Sequence, residues 1–420
     1  MTQLRDDCFA PGGQRMKAED ALKLLEERVR PVVGAEEVAL SEAHGRFLAA
    51  GVVSDRDVPG FDNSAIDGYA FAFADLAAKG ETRLPVTDRA AAGHPAAKAL
   101  EPGGAVRIFT GAVVPEGADT VVMEEDIALK GDMVVIPPGI ARGANYRKAG
   151  EDIQKGSVVL EQGLRLRPQD IGVAASLGRA SLTVCERLRA ALFSTGDELR
   201  EPGQPLPDGG VYDSNRYMLA AMLRNMGCEL SDLGILPDTE TAVRDAIGEA
   251  AADHHVVITS GGASRGEEDH VITVLRALGS VHFWQLAIKP GRPLAFGQVG
   301  PAVFVGLPGN PVAAALCLMR FARPMLTVLA GGKWPEPVMY RVPVDFDLKK
   351  KPDRREWLRA SLMTGEDGKR WARRFPREGS GILTSLTRSD GLIELPEDLT
   401  ALSRGDLVDF LPFSELGITS

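Results

Sequence analysis

Apolar residues recur at Ala18, Ala21, Leu22, Leu25 and Val29, and this three-and-four spacing predicts a helix over Met16–Val29. The polar, Gly- and Pro-bearing residues before it read as a frayed tail. Between Pro31 and Cys185 the helical period disappears. Short runs at Val121–Met123, Met133–Ile136 and Ser157–Leu160 predict strands, in a region of strand and loop with no internal repeat.

From Leu188 the signals alternate. Arg189–Phe193, Leu230–Leu236, His255–Thr259, Phe283–Ala287, Leu294–Val299 and Ala302–Val305 read as strands. Asp213-Ser214-Asn215 supplies N-caps for a helix that stops before Gly227, and Thr239 caps another reaching about Ala252. Further helices are expected near Asp269–Leu278 and from Pro311. Such alternation implies a parallel sheet covered on both faces. After Gly331-Gly332 and Pro335, β runs from Tyr340 to Phe410 predict a small all-β domain. The chain divides accordingly into 1–186, 187–332 and 335–420.

Composition narrows the function. Hydrophobic residues at 44% and charged residues at 25% are ordinary for a globular protein. A formal charge of −10 excludes a long nucleic-acid surface, which needs a basic face, but allows an anionic small substrate in a locally basic cleft. Cys8, Cys185, Cys228 and Cys317 show no CxxC spacing, so neither a disulfide framework nor a zinc site is expected. The N-terminus lacks the apolar core of a signal peptide, and the longest clearly apolar stretch, near Val312–Met319, is too short to span a bilayer. A soluble, cytoplasmic protein without membrane contact is the expectation.

In open parallel sheets, ligands bind beyond the carboxyl ends of the strands. Here the first strand runs into Ser194-Thr195-Gly196-Asp197-Glu198, and the second into Pro237-Asp238. The third opens into Ser260-Gly261-Gly262-Ala263-Ser264 and on to Asp269, and the last into Pro308-Gly309-Asn310. Glycines admit phosphate to backbone N–H groups at helix starts, while carboxylates suit Mg²⁺ or a polar headgroup. Lys289 and Arg292, on a proline-stiffened loop, are candidate partners for an oxyanion. Gly262-Ala263-Ser264-Arg265-Gly266 also fits a nucleophile elbow. The downstream histidines, His270 and His282, lie too close in sequence for the usual hydrolase triad. Polar clusters at Asp62–Tyr69, Arg107–Pro115 and Asn145–Ile153 read, by composition, as turns.

Several of these stretches together resemble the MoeA family, which includes the E domain of gephyrin. They are PGFDNSAIDGYA from Pro59, TGAVVPEGADTVVMEED from Thr110, GEDI from Gly150 and LFSTGDEL from Leu192. Further along come SNR from Ser214, SGG…GEED from Ser260, LAIKPGRP from Leu286 and GLPGNPV from Gly306. The resemblance covers nearly the whole chain in order. It implies an α/β and β multidomain fold: a parallel α/β sandwich domain, β-rich N-terminal lobes and a small C-terminal β-barrel domain. It implies a homodimer with sites shared between subunits, and a Mg²⁺-assisted reaction of molybdate with adenylylated molybdopterin that yields molybdenum cofactor and AMP.

By position, the resemblance makes Asp67, Thr110, Asp152, Glu198, Asp238 and Asp269 the catalytic polar residues, with Glu198, Asp238 and Asp269 as metal ligands. It places Gly111, Ser194, Thr195, Gly196, Ser260, Gly261, Gly262, Ser264, Lys289, Arg292, Pro308, Gly309 and Asn310 around the substrate. Lys289, Arg292, Arg359 and Ser385 would contact molybdate. Arg265 and His270 depart from the small apolar residue and the tyrosine common at those positions, which leaves tungstate open as an alternative metal. Transient contacts with the adenylyltransferase of the preceding step and with apo-molybdoenzymes follow from the same resemblance. The adenylyltransferase itself is essentially an α/β domain alone, so the lobes and the C-terminal domain favour insertion. A gephyrin-like scaffold would be expected to carry a long linker or a second α/β domain.

Overall fold

The computed structural model describes residues 15–261, 270–366 and 368–418. The first helix runs Ala18–Arg28, and its buried face of Ala18, Ala21 and Leu25 joins the core of the α/β domain, not that of the lobes that follow it. In the first lobe Ala35–Ala39 pairs antiparallel with Ser181–Cys185 over a core that includes Leu48, Leu160, Leu166 and Val184. This lobe also contains a helix, Pro168–Ser176, where the sequence pattern predicted only strand and loop. The helix is started by chemistry and not by period: Pro168 opens it, and the Asp170 carboxylate accepts from the Arg167 N–H at 2.8 Å. At nine residues, with Gly172 inside, it is too short to display a clear apolar stripe.

The second lobe is a six-stranded sheet in the order Thr120–Met123, Gly68–Phe71, Ala105–Ile108, Thr82–Ala90, Met133–Ile136, Ala128–Lys130. Apolar clusters pack around Ile108 and Val121, and around Phe71 and Ile136.

The α/β domain has six strands in the order Glu229–Leu236, Arg189–Thr195, Val256–Ser260, Ala302–Leu307, Pro293–Val299, Gly279–Gln285. The first four are mutually parallel. The last two extend this parallel core at one edge as antiparallel neighbours. The reason is connection length: only Gly300 and Pro301 separate Val299 from Ala302, and so short a link makes a hairpin where a crossover would need a dozen residues or so. The edge strand begins at Gly279 and not near Phe283, and Ile288–Lys289 leaves to pair with the C-terminal sheet. Helices cover both faces, so Leu192 and Phe193, one residue apart, sit in different cores. The helical run Pro311–Leu329 is long and apolar enough to cross a bilayer, but 83% of it is buried, which makes it the core helix of this domain.

The C-terminal sheet runs Ile288–Lys289, Arg355–Thr364, Gly391–Leu395, Leu407–Pro412, Tyr340–Pro343, and Arg370–Arg374 pairs with the far half of Arg355–Thr364. A bridge between Val344 and Ala372 joins the two ends, closing the sheet around Val344, Leu358, Ile393 and Phe410.

Candidate active site

Because the four central strands are parallel, Thr195, Leu236, Ser260 and Leu307 all end at one rim. The rim opens into a cavity of about 310 Å³ lined by Thr195, Glu198, Asn215, Ser260, Gly309 and Asn310, among others. Two rim glycines hold backbone conformations that a side chain would strain: Gly261 at φ +96° and Gly196 at φ +150°. The Gly261 N–H donates to the Leu307 carbonyl at 3.1 Å, locking two strand ends together.

Asn215 is the residue that knits the rim, and the sequence reading gave it only a place in a capping cluster and in a family motif. Its Nδ2 donates to Ser260 Oγ at 2.8 Å and to the Gly309 carbonyl at 2.7 Å. The cap is its neighbour Asp213, which accepts from the Arg216 N–H at 3.1 Å. Burial opposes the charge of Arg216, but Asp232 and Asp213 outweigh it and hold its pKa above the ordinary arginine value. Asn215 Oδ1 and Ser194 Oγ are buried with no hydrogen-bond partner, a state that polar atoms avoid unless a ligand or water completes them. Thr195 Oγ1 donates to Asp238 at 3.3 Å, placing that carboxylate beside the rim, while Glu198 lines the cavity itself. Gly262, Ser264 and Asp269, with Arg265, lie outside the described residues. Among the described residues there is no group of three or more His, Cys, Asp or Glu side chains that could hold a metal.

The oxyanion candidates divide. Lys289 is already paired, 2.7 Å from Glu378 and 3.6 Å from Glu356. The Lys289 hydrogen bond holds the Glu378 carboxyl below the usual range. Arg359 is buried, donating to Ser385 Oγ at 3.0 Å and to the Arg377 and Gly379 carbonyls at 3.3 Å. Burial lowers its pKa, opposed by Glu378. The 377–381 loop thus gathers Lys289, Arg359 and Ser385. It also reaches the rim, since the Val312 N–H donates to the Ser380 carbonyl at 2.9 Å. Arg292 is exposed. Glu378 carried no signal in the sequence, because its role arises from a loop folding back onto another domain.

The lobe candidates form a second group. Asp67 accepts from the Thr110 N–H at 2.8 Å and Oγ1 at 2.6 Å, and these bonds hold its pKa down. Gly111 (φ +77°) donates to the Ser64 carbonyl at 2.8 Å. Asp152 is exposed at a cleft shared with Pro59, Asn63 and Arg147. Asp62, which sequence left as a turn residue, accepts from Tyr146 Oη and, at 2.7 Å, from the Ala149 N–H. Burial, followed by the bond to Asp62, pushes the Tyr146 hydroxyl up to about 12. None of Asp67, Thr110 or Asp152 lines the rim cavity of the same chain.

Family models match this architecture piece by piece. The MoeA N-terminal region (domains I and II) matches residues 16–178, a probable molybdopterin binding domain matches 191–328, and the MoeA C-terminal region (domain IV) matches 341–413. A molybdopterin molybdenumtransferase of Haemophilus influenzae is 38% identical over 94% of this chain and 97% of its own. The chain belongs to the MoeA family. A second molybdopterin molybdenumtransferase, from Nostoc, is 36% identical over 88% of this chain and 87% of its own. The crystal structure of a MoeA molybdopterin biosynthesis protein from Pyrococcus horikoshii, 29% identical, superposes with a TM-score of 0.83 over 95% of this chain and all of its own. Membership makes this a transferase fold of molybdenum-cofactor biosynthesis, and the rim lies in the segment matched by the molybdopterin-binding model.

Proposed function

We propose that the chain inserts molybdenum from molybdate into adenylylated molybdopterin, forming molybdenum cofactor and releasing AMP. The observation that carries this reading is the rim itself: four strand ends, three of them turning through glycine, with orphaned buried polar atoms on Ser194 and Asn215, the Glu198 carboxylate in the cavity wall and Asp238 hydrogen-bonded to the lining residue Thr195. Backbone N–H groups at the Gly196 and Gly309 turns receive the phosphate end of the substrate. The pterin dithiolene, a soft donor pair, takes the metal.

Glu198 and Asp238, with Asp269 assigned by sequence, would hold Mg²⁺. The donor set fits: Mg²⁺ takes one or two carboxylates plus substrate phosphate and keeps several waters, so a closed protein cage is not required. When bound, the ion offsets charge on the phosphates as AMP leaves. Lys289, Arg292, Arg359 and Ser385 hold the molybdate oxyanion. Glu378 is 47% exposed on its side chain, so its pair with Lys289 is solvent-screened and weak enough to be exchanged for a dianion. Asp67, Thr110 and Asp152 complete the site from the lobe of the partner in a homodimer. The enzyme would work in the cytoplasm, meeting the adenylyltransferase and apo-molybdoenzymes transiently.

Separate titrations with molybdate and Mg²⁺ test the division of labour. Lys289→Ala should raise the molybdate needed for half-maximal insertion about tenfold or more, the loss of one charged hydrogen bond, with a smaller effect on Mg²⁺. Glu198→Gln should do the reverse. An unchanged molybdate response in Lys289→Ala removes this loop from oxyanion binding.

A further inference from the structure

A second cavity, of about 470 Å³, lies where the first lobe meets the α/β domain and the chain leading into the C-terminal domain. It shares no lining residue with the rim cavity. Apolar and aromatic side chains form one part of its wall: Phe47, Leu160 and Leu164 from the lobe, Met226 from the α/β domain, and Trp334 just after Gly331-Gly332. Gly332 allows that approach, because a side chain there would meet the Phe47 ring at 2.6 Å.

The charges on the wall do not balance. Glu161 pairs with Lys333, and Asp170 pairs with Arg167 at 2.9 Å, which neutralises four of the six charged residues in the lining. Arg165 and Arg323 remain. Among the described residues Arg165 donates only to carbonyls, those of Gly45 at 3.2 Å and Asn225 at 2.8 Å. Arg323 is half-buried, and its Nε is fully buried with no hydrogen-bond partner. Burial pushes its pKa down to about 10, with repulsion from Arg320 partly relieved by Glu415. Among the described residues neither arginine forms an ion pair with a carboxylate, so in a chain of net charge −10 this concave wall carries two positive charges that the other lining residues do not offset.

We propose that this cavity binds an organic phosphate monoester with a flat, apolar body. A monoester carries close to two negative charges at neutral pH, matching two guanidinium groups whose planar forks suit phosphate oxygens. The body lies against Trp334 and Phe47. A cavity of this size accommodates a small ligand whole. The site stands where three parts of the chain meet, so occupancy stabilises their arrangement through ligand linkage.

The test uses the full chain, phenyl phosphate as probe and tryptophan fluorescence as readout, with inorganic phosphate and benzoate alongside. Phenyl phosphate should shift the emission saturably and bind more tightly than either comparison ligand, and Trp334→Phe should abolish the signal. Arg323→Met and, independently, Arg165→Met should each weaken binding about tenfold, the loss of a charged hydrogen bond. Arg323→Met breaks no hydrogen bond to its Nε, so its melting temperature without ligand should stay level or rise. Should that variant fail to fold, the Arg165→Met arm decides. No saturable shift, a shift that survives Trp334→Phe, or equal affinity for inorganic phosphate overturns the proposal. So does unchanged binding in the arginine variants.

Discussion

Asn215 shows how much one side chain can decide. Its amide donates to a side chain on one strand end and to a carbonyl after another, while its own oxygen is left without a partner. Asn215→Ala would strand the Gly309 carbonyl and remove the Ser260 contact, costing ~1–3 kcal/mol for buried groups left unpaired. Chemical denaturation should show a lowered midpoint, and insertion activity should fall with it. A variant as stable and active as the parent would deny Asn215 this role. Within the sequence, Asn215 was legible as part of a capping cluster and of a family motif, but its work was not. The two contacts come from Ser260 and Gly309, which are 45 and 94 residues away. Glu378 and Asp62 were hidden in the same way, since an acid in a polar turn looks like any other until its partner arrives.

At the scale of elements, the loop after Ile288–Lys289 is held by a glycine that tolerates no replacement. Gly291 sits at φ +95°, and a side chain there would lie 2.7 Å from Cys317 Sγ. Both effects act against Gly291→Ala: the left-handed backbone costs ~1 kcal/mol for a non-glycine residue, and the contact with a buried helix adds to it. The variant should be destabilised and should need more molybdate, because Lys289 and Arg292 ride on the same loop. In a Cys317→Ala background the steric part is relieved, so the penalty measured by denaturation should shrink. Equal penalties in both backgrounds would mean that the contact is not limiting. Elements with strong period or caps were legible in advance. Thr239 does accept from the Ala242 N–H, and Glu240–Asp253 follows. Pro168–Ser176 was not, since a cap without a stripe leaves little trace in the pattern.

For the whole molecule, the lobe group around Asp67 and the rim group around Glu198 are separate in one chain, each resting on its own core. The homodimer with shared sites proposed above would bring the two groups together. Mixing Asp67→Ala with Asp238→Ala subunits should then restore about one working site per heterodimer. Verified heterodimers with no activity would reject sharing. What the sequence determined by itself was local: the alternation of strand and helix, the caps, the glycine turns at strand ends, and family membership through ordered motifs. Those follow from spacing and backbone preference, which act over a few residues. Tertiary structure alone decided the antiparallel pair at the sheet edge and the capture of the first helix by the α/β core. It also decided the pairing of Lys289 with Glu378 and the unbalanced arginines beside Trp334. Each depends on which distant segments meet, and charge balance or burial has no value until they do.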